Sequence, residues 1–193
     1  ESESGRVLVT LADVPVSVTL TAVYFTGPDN GWAVGHGGVV VHTADGGKTW
    51  TRQLEGVTAA KLALDVAQAY ADRADAQDYA AQQLLFNVEL LVEDGPDKPF
   101  LDLYFYNDHE GYVVGSYGYI FRTDDGGVTW KCLMDRVDNP DGLNIYAIQV
   151  VGTTIYLAGE QGLFLVSRDN GDSFKLLETP YEGTYFDIEV LPS

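Results

Sequence analysis

Basic residues are scarce in this sequence. Its 193 residues carry 11 Lys plus Arg against 29 Asp plus Glu, a formal charge of −18, and such a field repels phosphate backbones and anionic lipid headgroups. The charge argues against nucleic acid as a partner and leaves cations, basic protein patches and neutral ligands. Cysteine is represented by Cys132 alone, which excludes an internal disulfide and any cysteine-built zinc site. Its surroundings read as those of a half-buried strand residue, not of a nucleophile. No run approaches the 18 apolar residues of a membrane span. The opening ESESGRVLV has neither the basic start nor the apolar stretch of a secretory signal; a trimmed, mature chain would read the same way.

What is present is apolar residues at 46% and aromatics at 12%, the composition of a chain that folds around a core. Repetition is sought first, because a missed repeat misassigns the whole fold. Residues 21–50, TAVYFTGPDNGWAVGHGGVVVHTADGGKTW, align without a gap onto residues 101–130, LDLYFYNDHEGYVVGSYGYIFRTDDGGVTW. Residues 145–174, IYAIQVVGTTIYLAGEQGLFLVSRDNGDSF, keep the frame, and GTYFDIEV from residue 183 begins a fourth copy. Gly35, Gly115 and Gly159 recur, as do Gly38, Gly118 and Gly162. Each copy reads as four short segments rich in Val, Ile, Tyr, Phe and Trp between Gly, Asp and Asn turns, a β-meander. The first segment (Val23, Tyr24 and Phe25; Leu103, Tyr104 and Phe105) is apolar on both faces, which predicts an inner strand buried on both sides. The second carries Trp32, Tyr112 or Tyr156.

The end of each copy is an eight-residue box: Thr43, Asp45, Gly47, Thr49 and Trp50, then Thr123, Asp125, Gly127, Thr129 and Trp130, then Ser167, Asp169, Gly171, Ser173 and Phe174. The aspartate at the turn start is suited to accept backbone N–H groups two and three residues on, and the glycine supplies positive φ. The hydroxyls are placed to bond across the hairpin, and the terminal aromatic to pack against the neighbouring sheet. Every part has a structural reason, so the boxes are expected to shape turns and to have no catalytic role.

The pattern Ser/Thr-x-Asp-x-Gly-x-Thr-Trp/Phe resembles the Asp-box of the bacterial neuraminidase repeat, found in β-propellers. The longer frame, with GWAVG, GVVVHTADGGKTW and GYVVGSYGYIFRTDDGGVTW, is similar to the photosystem II stability/assembly factor family and its relatives in non-photosynthetic bacteria. The resemblance implies a mainly β fold, a β-propeller of four-stranded antiparallel blades. It also implies a non-catalytic factor without cofactor, acting from the extracytoplasmic side on a membrane-associated protein complex. The acidic balance and a helical insertion set this chain apart from the plant and cyanobacterial members, which favours a bacterial relative tending another envelope complex.

The insertion follows from spacing. About 36 residues separate the first two copies beyond the repeat length. Residues 57–93 are rich in Ala, Leu and Gln without Pro or internal Gly, a helical composition. Leu62, Val66, Ala69 and Tyr70 form one apolar stripe, and Ala81, Leu84, Leu85, Val88, Leu91 and Val92 a second, predicting two helices broken near residues 72–78. They read as a cap on the propeller rim, with a docking arm as the alternative. The chain is thus expected to form one domain or propeller segment over 1–193, with blade repeats at about 19–54, 100–134 and 143–178 and partial-blade strands at 6–11 and 183–191. About three and a half blades are too few to close a ring. A segment of a longer propeller, completed by a second copy through its open blade edges, is the expected arrangement.

Other chemistries fit less well. Sialidase-like hydrolysis needs an arginine cluster, a tyrosine nucleophile and acidic partners, yet Arg52, Arg122, Arg136 and Arg168 lie in or beside boxes, Arg73 in the insertion and Arg6 near the start. The carboxylates of DRVDNPDG and of Asp72, Asp75 and Asp78 lack calcium-loop spacing, and His36, His42 and His109 have no paired ligand, so no metal site is expected. A carbohydrate-binding module is the rival to a protein scaffold, with Tyr117, Tyr181 and Tyr185 as stacking platforms.

Overall fold

The computed structural model describes residues 12–190. Short β-branched and aromatic runs form three four-stranded antiparallel sheets, each a meander in chain order because tight turns join neighbouring strands. The first holds β1 (Leu20–Phe25), β2 (Gly31–Gly35), β3 (Val39–Thr43) and β4 (Thr51–Leu54). The second holds β5 (Phe100–Phe105), β6 (Gly111–Gly115), β7 (Ile120–Thr123) and β8 (Lys131–Cys132). The third holds β9 (Ile145–Val151), β10 (Thr154–Gly159), β11 (Phe164–Ser167) and β12 (Lys175–Leu176). Register repeats between sheets: Val23 faces Ala33, Leu103 faces Val113 and Ile148 faces Leu157.

The inner strands β1, β5 and β9 lie side by side, so the sheets follow one another as blades. Each blade has a leading face toward the blade before it and a trailing face toward the blade after it. Trp32 on the trailing face of the first blade stacks flat on Phe105 on the leading face of the second, 3.8 Å between centroids at 10°. Thr21 Oγ1 donates to Phe100 O at 2.8 Å, and Ile148 N donates to Asp102 Oδ2 at 2.9 Å, so each inner strand is tied to the next. The expectation that every first segment is buried on both sides therefore needs correction. Leu103 and Ile148 are 4% and 6% exposed, whereas Val23 at the matching position is 60% exposed. The leading face of a blade is sealed only by the blade before it, and no described residues form a blade before the first.

Between β4 and β5 the chain forms α1 (Gly56–Arg73) and α2 (Tyr79–Glu93), which pack on each other. The break holds Asp78, whose carboxylate accepts Ala81 N at 3.1 Å and caps α2. The buried face of α1 is the alanine row Ala59, Ala60, Ala63 and Ala67, not the predicted Leu62 stripe, of which Leu62, Val66 and Tyr70 are half-buried and Ala69 exposed. Ranking residues by hydrophobicity does not select this alanine face. On α2, Ala81, Leu84, Val88 and Leu91 are buried, Leu85 is half-buried and Val92 exposed. The pair rests on the 3-10 turn Met134–Arg136 after β8, where Arg73 pairs with Asp135 and Asn87 Nδ2 donates to Pro140 O at 2.9 Å.

Residues 183–190 form no strand, contrary to the partial-blade strand expected at 183–191, while the other partial-blade strand, expected at 6–11, lies outside the described residues. The segment is held by the third blade's turn instead: Gly162 N donates to Gly183 O at 2.7 Å and Tyr185 N to Gly159 O at 2.9 Å.

The glycines that close β2, β6 and β10 have a steric cause. A Cβ at Gly35, Gly115 or Gly159 would run into the backbone carbonyl of Thr19, Pro99 or Asn144 just outside the inner strand. The expected outcome of Gly115→Ala is a loss of about 1–3 kcal/mol, typical of forced overpacking, measured by urea denaturation.

Candidate functional site

The three boxes fill the turns between β3 and β4, β7 and β8, and β11 and β12, one per blade. They do not converge on a common pocket. In the second box Thr123 Oγ1 donates to Asp125 Oδ1 at 2.8 Å and accepts from Gly127 N at 2.8 Å. Asp125 then accepts Thr129 N at 2.8 Å and Thr129 Oγ1 at 2.6 Å. The first box repeats this with Thr43, Asp45, Gly47 and Thr49, adding Lys48 N at 3.0 Å. The third does so with Ser167, Asp169, Gly171 and Ser173. Asp45 thus reaches the amides three and four residues on and Asp125 and Asp169 the amide four on, and the amide two on bonds to the residue-43, -123 or -167 hydroxyl instead. Gly47, Gly127 and Gly171 sit at φ 85°, 89° and 86°, where a Cβ would be strained.

These bonds favour the ionised carboxylates. The amide and hydroxyl of Thr49 lower Asp45 to about 2, and the hydroxyls of Ser173 and Ser167 with the amide of Ser173 lower Asp169 to about 2. Asp125 is also lowered: desolvation is its largest single influence and raises it, but the bonds from Thr129 and Thr123 outweigh it. A carboxylate held in this way is a poor proton carrier near neutral pH.

Box aromatics were expected to pack on the neighbouring sheet. Trp50 and Trp130 instead meet Phe25 and Phe105 of their own sheets edge-on at 6.1 and 6.4 Å. The residue that crosses between blades is the aromatic on the second strand. Trp32 Nε1 donates to Gly126 O in the second box at 3.1 Å, joined there by Gln53 Nε2 at 2.8 Å. Tyr112 Oη donates to Asn170 O in the third box at 3.2 Å, joined by Arg122 Nη1 at 3.2 Å. The recurrence of Trp32, Tyr112 and Tyr156 was the signal for this joint, but the bond's target lies in another repeat.

Other candidate groups are structurally engaged. Arg122 pairs with Asp124 at 2.7 Å and lies over the Tyr112 ring, Arg52 pairs with Glu55 at 2.9 Å and Arg136 with Asp172 at 3.5 Å. Arg168 is exposed, and Arg6 lies outside the described residues. Cys132 is buried, which pushes its thiol up to about 12. Burial also raises Asp102, against the two amides bonded to it. Among the described residues no three His, Cys, Asp or Glu side chains gather to hold a metal. Tyr117 is exposed beneath Lys98 Nζ, and exposed Tyr181 meets Tyr185 at 5.1 Å. Apolar side chains are also exposed on α2, where Tyr79, Phe86 and Leu90 lie along one face.

Comparison with known proteins follows the same repeats. The family model described as photosynthesis system II assembly factor YCF48 matches residues 81–183. The photosystem II assembly protein Ycf48 of Synechococcus sp. (strain JA-2-3B'a(2-13)) is 29% identical over 189 residues, covering 90% of this chain and 50% of its own. The photosystem II assembly lipoprotein Ycf48 of Synechococcus sp. (strain CC9902) is 35% identical over 96 residues, 47% of this chain and 28% of its own. The chain therefore spans half or less of these curated relatives. Among solved structures, "YCF48 bound to D1 peptide" superposes with a TM-score of 0.59 at 20% identity, covering 89% of this chain and 45% of that one. YCF48 from Cyanidioschyzon merolae gives 0.51 at 20%, with 84% and 40% covered. These likenesses establish a shared propeller fold.

Two outcomes are expected from the box geometry. Thr123→Val keeps the shape of a fully buried side chain but strands the Gly127 amide; it should cost about 1–3 kcal/mol, read by urea denaturation. The box aspartates have folded pKa values below the unfolded reference of about 3.9. Their stabilisation is therefore complete above about pH 4 and is lost as pH falls toward 2. An acid titration followed by tryptophan fluorescence should show unfolding in that window, shifted to higher pH in Asp45→Asn.

Proposed function

Because the chain belongs to the photosynthesis system II assembly factor YCF48 family, we propose that it is a non-catalytic scaffold that binds protein, an assembly or stability factor for a membrane-associated complex. We place its work outside the cytoplasm. The names of the relatives support both parts of this reading: one structure holds a D1 peptide and one curated relative is a lipoprotein. Among the described residues no helix is long and apolar enough to cross a membrane, so contact with such a complex runs through protein surfaces.

The observation that carries the reading is a contrast between the boxes and the insertion. The hydroxyls and aspartates of each box are engaged within their own hairpin, and Gly126 O and Asn170 O by the blade before. Apolar side chains that nothing covers lie on α2, where Tyr79, Phe86 and Leu90 share one helix face. Together they span about 16 Å along the axis, the form of an exposed apolar patch that marks a protein contact.

The test is capture of partners from detergent-solubilised membranes with the 193-residue chain, identified by mass spectrometry. Subunits of one membrane complex are expected with the native chain and absent with Phe86→Asp. That substitution is on an exposed position and should leave stability within about 0.5 kcal/mol. Glycan-array binding with no protein recovered, or turnover of a sialoside, would overturn the scaffold reading.

A further inference from the structure

A helix that packs on one side needs one apolar face, and α2 has two. Ala81, Leu84, Val88 and Leu91 form the face buried against α1 and the turn after β8. Tyr79, Phe86 and Leu90, at i, i+7 and i+11, form an exposed stripe on the opposite side.

Both banks of this stripe are acidic. Exposed Glu89 and Glu93 lie along one side of it. On the other side stands Asn87, whose Oδ1 accepts Gln83 Nε2 at 2.9 Å and whose Nδ2 donates to Pro140 O at 2.9 Å. That bond lays the loop after the Met134–Arg136 turn along α2, and the loop carries exposed Asp138 and Asp141. From Asp75 to Asp97 the sequence has six carboxylates and no Lys, Arg or His. The cations that flank this run are engaged: Arg73 pairs with Asp135, and buried Lys98 lies 3.6 Å from Asp94 and from Asp97. Arg136, in the turn on which the helices rest, pairs with Asp172 at 3.5 Å.

We propose that the partner element seated on this face is a basic amphipathic helix. Its apolar side lies on Tyr79, Phe86 and Leu90, and its Lys or Arg side chains reach Glu89 and Glu93 on one bank and Asp138 and Asp141 on the other. The inference rests on the scaffold reading above and adds the chemistry of the partner. Charge selects the occupant: a second copy of this chain, at −18, and an anionic lipid surface are both repelled by such a face. An uncharged or acidic segment would cover the apolar stripe and leave the carboxylates beside it unmatched. The backbone of a helix offers no free edge for strand pairing, so the partner meets α2 with side chains, and about three helical turns match a stripe about 16 Å long.

Fluorescence anisotropy with three labelled synthetic peptides tests this at about 150 mM salt, where distant charges are screened. One peptide holds Leu at helical i, i+3, i+4 and i+7 positions with Lys elsewhere; the second replaces Lys by Glu; the third has the composition of the first in scrambled order. The ordered Leu/Lys peptide should bind the 193-residue chain about tenfold or more tighter than either control, the margin of a well-placed apolar anchor. Phe86→Asp should weaken that binding by about tenfold or more, although it makes the protein more acidic; plain charge attraction would strengthen it instead. Glu89→Gln with Glu93→Gln should weaken it about threefold or more, whereas Asp29→Asn with Glu178→Gln, the same charge change at exposed positions elsewhere, should not. Equal binding of ordered and scrambled peptides, binding of the Glu peptide as tight as that of the Lys peptide, or indifference to Phe86→Asp would each overturn the proposal. Capture of a membrane complex that depends on Phe86, alongside any of those three results, would leave the scaffold standing without a basic helix; absence of capture would count against the scaffold itself.

Discussion

Each blade turns on one hydroxyl. Thr43, Thr123 or Ser167 is buried at the end of the third strand, accepts the amide of the box glycine and donates to the box aspartate. The aspartate then holds the far side of the loop. Without this the box glycine amide, buried in the second and third boxes, would be left unpaired. With it, the hairpin is rigid and its tip offers a carbonyl at a defined place. That carbonyl receives the Trp32 or Tyr112 donor of the preceding blade. The local turn and the joint between blades are therefore one device, and a loosened turn would also loosen the stacking of Trp32 on Phe105.

The same device leaves the box aspartates poorly suited to proton transfer. A general acid or base near neutral pH needs a carboxylate raised toward 7 and open to substrate. Asp45 and Asp169 are driven the other way by donors that already fill their oxygens. The residue whose pKa burial does raise, Asp102, uses both oxygens to tie inner strands together. Polar chemistry in the boxes and at Asp102 is directed at holding blades in place, while apolar side chains on α2 and β1 are among those exposed.

Much of this was legible from spacing. Gly35, Gly115 and Gly159 recur because a carbonyl occupies the place of a Cβ, and the box recurs because its hydrogen bonds close within seven residues. The helices of the insertion were readable from composition, but their packing was not: Ala59, Ala63 and Ala67 are buried where the larger Leu62 and Val66 are only half-buried, and ranking by hydrophobicity does not place alanine above leucine. The reach of the aspartates was misjudged by one residue, since the hydroxyl's prior claim on the near amide is visible only in three dimensions. Trp50 and Trp130 meet Phe25 and Phe105 of their own sheets edge-on, contacts that depend on strand pairing, while Phe174 is buried where its backbone bridges to Val137 after the second blade.

The sequence by itself determined the repeat, the meander within each blade and the turn at its end, all of which rest on contacts between residues close in the chain. Only the tertiary structure decided which face of each blade is covered. Val23, Leu103 and Ile148 hold the same place in their strand pairs, and Val23 differs in burial because burial depends on what stands in front of a sheet. That neighbour comes from a separate repeat, and a periodic sequence describes every repeat alike, including the one with no blade before it.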